Sequence, residues 1–275
     1  MNAFFNTLIL LTISGSLLTL LIQLIKPLFI KKLPACLQKI LLIAVMIFFV
    51  LPFWKLIPNI QPKFVNMDFS YLSDSAFEDE ESYHTSNING KEYLYPYGKN
   101  EVKLDSAKII ALIYFFGVVL FILSAVLSYI IFVRKKKKGS IEISYNKIFE
   151  EVKKELSIKR KIRLRVSADT HSPLLVGGFF PVIYIPQNIS DEKKEKMIYL
   201  HELTHFKKGD LIFKWFVLLV NAVHWFNPFC YILSSNISDV CELSCDMSVI
   251  KKLNSEEKTF YMNTIIDLIE KERKK

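Results

Sequence analysis

The sequence is poor in cysteine, with only Cys36, Cys230, Cys241 and Cys245 among its 275 residues. Small secreted domains that depend on disulfides carry a dense framework of cysteines, which is missing here. We therefore expect free thiols. A basic stretch before the first apolar run is also missing, and that run, within residues 1–25, is longer than the apolar core of a signal peptide. These features argue against a secretory leader and favour a retained transmembrane helix.

Apolar residues are concentrated in blocks, three of which are long enough to cross a membrane. About 20 helical residues span the roughly 30 Å of bilayer hydrocarbon. The three blocks cover about 3–25, 36–54 and 107–133. A buried helix of a soluble core is the alternative for each block taken alone. Three blocks in one chain weaken that alternative, and we predict three transmembrane helices.

Positive charge dominates, with a formal net charge of +9 at pH 7. The lysines lie beside apolar blocks, which fits an anionic membrane leaflet better than direct binding of nucleic acid. Basic residues fill the link between the first two blocks and follow the third as Arg134–Lys138, whereas loop 55–106 contains nine acids and five lysines. Cytoplasmic loops carry the excess of Lys and Arg. We therefore predict that residues 140–205 are cytoplasmic and that the N-terminus and loop 55–106 are extracellular.

Residues 140–200 have the patterns of a soluble α+β segment. Helical spacing in KIFEEVKKELSI, residues 147–158, precedes strand alternation in KIRLRVSAD, residues 161–169. The apolar stretch SPLLVGGFFPVIYIP, residues 172–186, is interrupted by proline and glycine, which predicts an edge strand. A helix of about 19 residues should follow, with Asn188 and Ser190 as cap candidates and its end at Gly209.

The sequence HELTH, residues 201–205, places two histidines four residues apart with a glutamate after the first. On a helix, His201 and His205 lie one turn apart on the same face, so both imidazoles can reach one metal ion. Zinc suits such ligands and keeps one position for water in catalytic sites. Glu202 points about 100° away from His201, which is unsuitable for a ligand but allows a general base acting on that water. The pattern also arises by chance, but its place on a predicted helix favours a site.

A third metal ligand is expected from the helical segment ISDVCELSCDMSVI, residues 237–250. Glu242 and Asp246 are four residues apart, so a carboxylate ligand and an aspartate that holds a ligand histidine can share one face. Cys241 and Cys245 form a second such pair. They would suit a structural zinc, which needs no general base, and the alternative is that they pack between helices. The remaining histidines are interpreted as polar or structural residues: His84, His171 and His224.

Four ordered stretches, SPLLVGGFFPVIYIP, HELTHFKKGD, HWFNP and ELSCD, resemble the BlaR/MecR family of membrane zinc metallopeptidases. The resemblance covers roughly residues 1–250. It implies gluzincin-type catalysis with Zn²⁺ held by His201, His205 and Glu242, and with Glu202 as the base. It also implies signal transduction, in which the cytoplasmic protease acts as an antirepressor by inactivating a transcriptional repressor.

Members of that family that sense β-lactams carry an extracellular penicillin-binding domain after a fourth span. No apolar span follows residue 250 in the printed sequence, and no companion motifs accompany SYNK, residues 144–147. We therefore do not expect this sequence to sense antibiotics directly.

The apolar stretch after the histidine pair raises a geometric problem for this ligand set. A single crossing helix would carry Glu242 about 30 Å from His205, at about 1.5 Å per residue. Zinc bonds are only about 2 Å long. Pro228 disfavours helix at the residue before it. We therefore predict a hairpin, with a helix at about 210–225, a turn at 226–228 and a return helix through Glu242, held partly in the inner leaflet.

These features predict an α-helical polytopic membrane protein with a cytoplasmic α+β gluzincin-like zinc metalloprotease domain. Residues 1–133 would form the membrane region, and residues 134–275 the peptidase domain with a membrane-associated hairpin at about 210–250. Its substrate would be a protein added as a strand beside Val176, Gly177 and Gly178. Alternatives are a catalytically silent membrane sensor or scaffold and a metal-responsive regulator, and a homodimer stays open.

Overall fold

The computed structural model describes residues 2–27, 33–53, 83–88, 91–96, 106–168, 170, 172–187, 189 and 191–273. Within these ranges the chain is mostly helical. Helices α1 to α8 cover Asn2–Ile25, Ala35–Val50, Ser106–Lys138, Lys147–Glu155, Glu192–Lys208, Asp210–Val223, Pro228–Ile250 and Ser255–Arg273. Strands β1 to β6 cover Tyr83–Ile88, Lys91–Pro96, Ser140–Ile143, Arg163–Ser167, Leu174–Val176 and Val182–Pro186. Apart from the β1–β2 hairpin, most of loop 55–106 lies outside the described residues.

Two helices of the described ranges are long and apolar enough to cross a membrane, over Phe4–Ile25 and Lys108–Lys138. Helix α2 has only 16 residues, about 24 Å at about 1.5 Å per residue, which is short of the roughly 30 Å of bilayer hydrocarbon. The predicted second span, 36–54, is therefore too long. The helix ends at Val50, and Leu51 adopts an extended conformation because Pro52 follows it.

The second half of the chain contains a four-stranded sheet in the order β3-β4-β6-β5. Strands β4 and β6 are parallel, and the two outer pairs are antiparallel. Alternation sends Leu164, Ile183 and Ile185 into a buried core against α4 and α5. The opposite face carries Val182 and Tyr184, which contact α3.

The predicted single strand over 172–186 is in fact two short strands joined by a turn. Gly177 has φ +86°, and a Cβ there would lie 2.4 Å from the Phe180 carbonyl oxygen. Only glycine fits this turn. The turn pairs β5 with β6 and leaves β5 at the edge of the sheet, as the proline and glycine content predicted.

Helix α5 carries the histidine pair and begins slightly later than predicted. Its N-cap is Asp191, whose carboxylate accepts a hydrogen bond from the Lys193 amide at 2.9 Å. The predicted caps, Asn188 and Ser190, lie outside the described residues. The helix ends at Gly209, which is left-handed with φ 69°, so the chain turns directly into α6.

Helices α6 and α7 lie within about two residues of the bounds predicted for the hairpin. Asn227 caps α7 by accepting a hydrogen bond from the Phe229 amide and donates another to Ser16 of α1. His224, which is fully buried, lies 3.0 Å from the Thr12 hydroxyl and 3.0 Å from the Phe49 carbonyl oxygen. The turn is therefore fixed beside the middle of α1 and the last turn of α2.

Candidate metal centre

Three side chains from two distant helices converge at one point. The Nε2 atoms of His201 and His205 are 3.1 Å apart. The Oε2 atom of Glu242 lies 3.0 Å from His205 Nε2 and 3.7 Å from His201 Nε2. Tetrahedral zinc with bonds of about 2.0–2.1 Å would separate its ligand atoms by about 3.3 Å. The spacing therefore fits a metal ion held by these three atoms.

The second ring nitrogen of His201 is held by residues from two other helices. Its Nδ1 lies 2.7 Å from the Tyr261 hydroxyl and 3.3 Å from Asp246 Oδ1. The Tyr261 hydroxyl itself donates to Asp246 Oδ1 at 2.7 Å, so it accepts from Nδ1–H. This arrangement leaves the lone pair of His201 Nε2 directed at Glu242 and free for a metal.

The second ring nitrogen of His205 is held in the same way by the first residue of α6. His205 Nδ1 lies 2.7 Å from Asp210 Oδ2. The other carboxylate oxygen of Asp210 accepts a hydrogen bond from Lys39 of α2 at 2.5 Å. Asp210 is almost fully buried, with its side chain 2% exposed. Helix α2 is thus joined to the histidine pair through one carboxylate.

Positive charge at the histidine pair is stabilised by these acidic neighbours. Burial alone would lower the pKa of His205, but hydrogen bonds with Asp210, Cys245 and Glu242 outweigh it and raise the pKa to about 11. Burial also disfavours charge on His201, whose pKa is nevertheless raised by Asp246, Cys245 and Glu242. The same acidic neighbours would stabilise a metal cation, which would replace the proton on Nε2 of each histidine.

Glu202 lies beside the two histidines but is not one of the three groups that converge on the metal position. It is buried, at 8% exposure, and it lines the same cavity as the histidines. Burial raises the pKa of its carboxyl group, and the two neighbouring histidines oppose that shift. The described residues offer this carboxylate no hydrogen-bond donor, so it is available to a proton in the cavity.

Cys245 is an alternative third ligand, because its sulfur and the nitrogens of the two histidines all lie within 4.8 Å of one another. Its closest contacts, however, are the His201 carbonyl oxygen at 3.4 Å and His201 Nδ1 at 3.9 Å. That is the nitrogen already engaged by Tyr261. Cys241 is fully buried in an apolar cluster that includes residues of α2 and α7, and it lies beside Asp210 and Lys39.

The site opens into a cavity of about 420 Å³, which we call the metal cavity. Its walls include Ser172 to Leu175 at the start of β5, Leu211 and Lys214 of α6, and Ile265 of α8. Val176, Gly177 and Gly178 were the predicted substrate contacts. The structure does not bring them to the histidines, because β5 runs away from the site and they line a different cavity.

Several residues of the site carry no recognisable signal in the sequence. Tyr261 is 60 positions after His201 in a helix with no motif, and Lys39 is 171 positions before Asp210. Asp210 could have been singled out, since it stands directly after the glycine that ends the motif helix. Asp246 was predicted from its spacing to Glu242 and does lie beside His201.

Comparison with known proteins identifies the family. The model of the BlaR1 peptidase M56 family matches residues 6–275, so the chain belongs to this family of metallopeptidases. The regulatory protein BlaR1 of Bacillus licheniformis is 33% identical over 137 residues, which cover 48% of this chain and 23% of that protein.

Two further relatives come from staphylococci. The methicillin resistance mecR1 protein of Staphylococcus aureus (strain Mu50 / ATCC 700699) is 31% identical over 135 residues, 47% of this chain and 23% of that protein. The regulatory protein BlaR1 of Staphylococcus aureus is 23% identical over 223 residues, 78% of this chain and 38% of that protein. The matched part of this chain thus spans between 23% and 38% of the length of these relatives.

Proposed function

We propose that this member of the BlaR1 peptidase M56 family is a membrane-embedded zinc endopeptidase that transmits a signal by cleaving a cytoplasmic protein. The observation that carries the proposal is the convergence of His201 Nε2, His205 Nε2 and Glu242 Oε2 within 3.0–3.7 Å. The buried Glu202 carboxylate beside them supplies the remaining group that peptide hydrolysis needs.

Zinc fits this donor set better than the other common divalent cations. Two imidazole nitrogens with one carboxylate are a typical ligand set of catalytic zinc, whereas Mg²⁺ and Ca²⁺ prefer oxygen alone. When bound, zinc would supply a polarised water and a Lewis acid for the peptide carbonyl. Its ligands would be His201, His205 and Glu242.

The chain's own residues have distinct tasks in this proposal. Glu202 accepts the proton of the attacking water and later donates it to the leaving amine. Tyr261 and Asp246 orient His201, and Asp210 orients His205, so that each Nε2 faces the metal. Lys214, which lies 3.8 Å from Glu242 Oε1, is the cation that the cavity presents to a substrate.

The substrate is expected to be a protein bound in an extended form along β5. This strand pairs only with β6 among the described strands, so its other edge has free backbone groups beside the motif helix. The contact residues would be Ser172 to Leu175, which line the metal cavity. By analogy with the repressor cleavage that the family resemblance implies, a transcriptional repressor is the first candidate.

We place the metal cavity at the cytoplasmic face. Residues 1–133 would form the membrane region and residues 134–275 the peptidase domain, with α6 and α7 entering the membrane from the cytoplasm and returning. The buried contacts of His224 and Asn227 with α1 and α2 support such a re-entrant hairpin. Cysteine labelling tests this orientation. We expect a cysteine introduced near residue 90 to be labelled from outside intact cells. We expect a cysteine that replaces Lys193 to be labelled only after lysis. The reverse pattern would overturn the orientation.

The cleavage itself is tested by comparing cells that produce the wild type with cells that produce Glu202→Gln. A cytoplasmic protein should be shortened only by the wild type, and Glu192→Gln, an exposed glutamate on the same helix, should behave like the wild type. If zinc is bound in the wild type and in both variants but no cytoplasmic protein is shortened in any of the three strains, the alternative of a silent sensor is favoured.

A further inference from the structure

A second cavity of about 730 Å³ lies on the face of the sheet opposite the domain core. We call it the sheet cavity. Its walls are Tyr129 and Val133 of α3, Val182 and Tyr184 of β6, and Trp215 of α6. The Tyr129 and Trp215 rings meet edge to face at 5.2 Å. The walls are therefore apolar and aromatic, and they belong partly to a helix long enough to cross a membrane.

The rim of this cavity is strongly cationic. Its lining includes Lys137, Arg160, Arg163 and Arg165 and contains no acid. Arg165 is satisfied by Glu142 at 2.7 Å and by Ser140. Among the described residues, no carboxylate pairs with the other three cations. The rim thus offers three unpaired positive groups above an apolar interior, which suits an amphipathic anion.

Two exposed aromatic residues complete the cavity. Phe179 and Phe180 are 86% and 80% exposed, at the turn between β5 and β6. Arg160 donates a hydrogen bond to the Phe179 carbonyl oxygen, and the turn at Gly177 has no room for a Cβ. The two rings are therefore held outward by the backbone. Adjacent phenylalanines fixed in this position indicate contact with an apolar phase.

The sheet cavity lies at the level where α3 changes from apolar to basic. Tyr129, Val133 and Lys137 follow one another at four-residue spacing on α3, so one face of the helix carries an aromatic, an aliphatic and a cationic residue in turn. The basic stretch Arg134–Lys138 ends the helix directly at this level. Such a change marks the boundary between the hydrocarbon and the headgroups of the cytoplasmic leaflet, which is anionic.

We propose that the sheet cavity binds an anionic phospholipid of the cytoplasmic leaflet. Its phosphate would lie among Lys137, Arg160 and Arg163, and its acyl chains would contact Trp215 and the two exposed phenylalanines. A free phosphate would use only the rim. A zwitterionic lipid also carries a phosphate, but the cationic group of its headgroup offsets that charge beside the three cations, so a lipid with net negative charge fits the rim and the walls together. The inference rests on the membrane placement proposed above but not on peptidase activity.

The test is native mass spectrometry of the purified full-length chain in detergent, with equal amounts of phosphatidylglycerol and phosphatidylcholine. The wild type should retain phosphatidylglycerol at least about tenfold more than phosphatidylcholine. The triple variant Lys137→Gln, Arg160→Gln, Arg163→Gln should lose that preference. The matched control Lys135→Gln, Lys138→Gln, Lys193→Gln removes the same charge from positions outside the cavity and should keep it.

A variant of the exposed turn keeps the test decisive if the triple variant does not fold. Phe179→Ser with Phe180→Ser changes only exposed rings, and it should lower retention of phosphatidylglycerol severalfold. Competition by excess sn-glycerol 3-phosphate should have little effect, because it lacks acyl chains. Equal retention of both lipids by the wild type, or equal losses in the cavity and control triples, would overturn the proposal. A cavity variant that changes the self-association of the chain but not its lipid retention would also overturn the proposal.

Bound zinc and Glu202-dependent cleavage are measured on the same preparations. Normal zinc and cleavage without lipid preference would refute the lipid site alone. Lipid preference without zinc would refute the peptidase proposal alone.

Discussion

The metal cavity and the sheet cavity both adjoin the short strand β5 but differ in the chemistry of their walls. The metal cavity gathers polar groups from α2, α5, α6, α7 and α8, and both histidines are held by a hydrogen-bonded neighbour. The sheet cavity has apolar walls, a cationic rim and two aromatic rings left in the open. A polar site inside a protein must satisfy its own hydrogen bonds, whereas a surface that faces lipid can leave apolar groups exposed.

The two cavities lie next to each other along β5. Leu174 and Leu175 border the metal cavity, and Val176 borders the sheet cavity only one residue later. The two cavities therefore adjoin at this three-residue strand. Variants of one cavity that leave the other unchanged will show whether the two act separately.

The largest effect is expected from His201→Ala. Loss of an imidazole ligand should abolish tight zinc binding and all cleavage, because catalytic zinc has only three protein ligands. Zinc content by inductively coupled plasma mass spectrometry checks the first effect. Retention of phosphatidylglycerol should stay at the wild-type level, and a parallel loss of lipid would mean that the cavities are not independent.

Glu202→Gln should separate metal binding from chemistry. The amide cannot accept a proton, so cleavage should fall by at least about a hundredfold, while zinc content stays close to that of the wild type. The exposed Glu192→Gln serves as the control on the same helix. Cleavage by Glu202→Gln at a substantial fraction of the wild-type rate would remove Glu202 from the mechanism.

A smaller effect is expected from Tyr261→Phe, which removes the hydroxyl between His201 Nδ1 and Asp246. Loss of such an orienting partner typically weakens metal affinity by about 10- to 100-fold. Titration with a zinc chelator measures the shift. Tyr145→Phe, at an exposed tyrosine, is the matched control, and an unchanged affinity in Tyr261→Phe would show that Asp246 alone orients the histidine.

The smallest effect is expected from Lys39→Met, because the ligands all remain. The variant leaves the buried Asp210 carboxylate with His205 as its remaining charged partner. An incompletely paired buried group costs about 1–3 kcal/mol, so the melting temperature should fall by several degrees while zinc still binds. Lys193→Met, on an exposed residue, should melt like the wild type. Equal melting of both variants would show that Lys39 does not stabilise the site.

The sequence was most informative where spacing within one element decides geometry. The positions of His201 and His205 on α5, the helix end at Gly209 and the bounds of α6 and α7 all follow from local patterns. The length of α2 was overestimated because its apolar run continues beyond Pro52. The sheet order, Tyr261 and Lys39 depend on contacts between residues far apart in the chain, which periodicity does not encode.

The sheet cavity had the weakest sequence signal. Its aromatic turn was interpreted as part of a substrate-binding strand, since apolar residues punctuated by glycine fit both functions. Only the arrangement of β4, β6 and α3 shows that Arg163 and Tyr184 line the cavity beside α3 and not the cavity of the histidine pair.

The central claim is that Glu242, and not Cys245, completes the metal site with the two histidines. Zinc-edge X-ray absorption on the zinc-loaded wild type and on Cys245→Ser measures this directly, because Zn–S bonds of about 2.3 Å are distinct from Zn–N and Zn–O bonds of about 2.0–2.2 Å. We predict a shell of nitrogen and oxygen alone, identical in both proteins and reduced in Glu242→Ala. A sulfur shell in the wild type that disappears in Cys245→Ser would contradict the account.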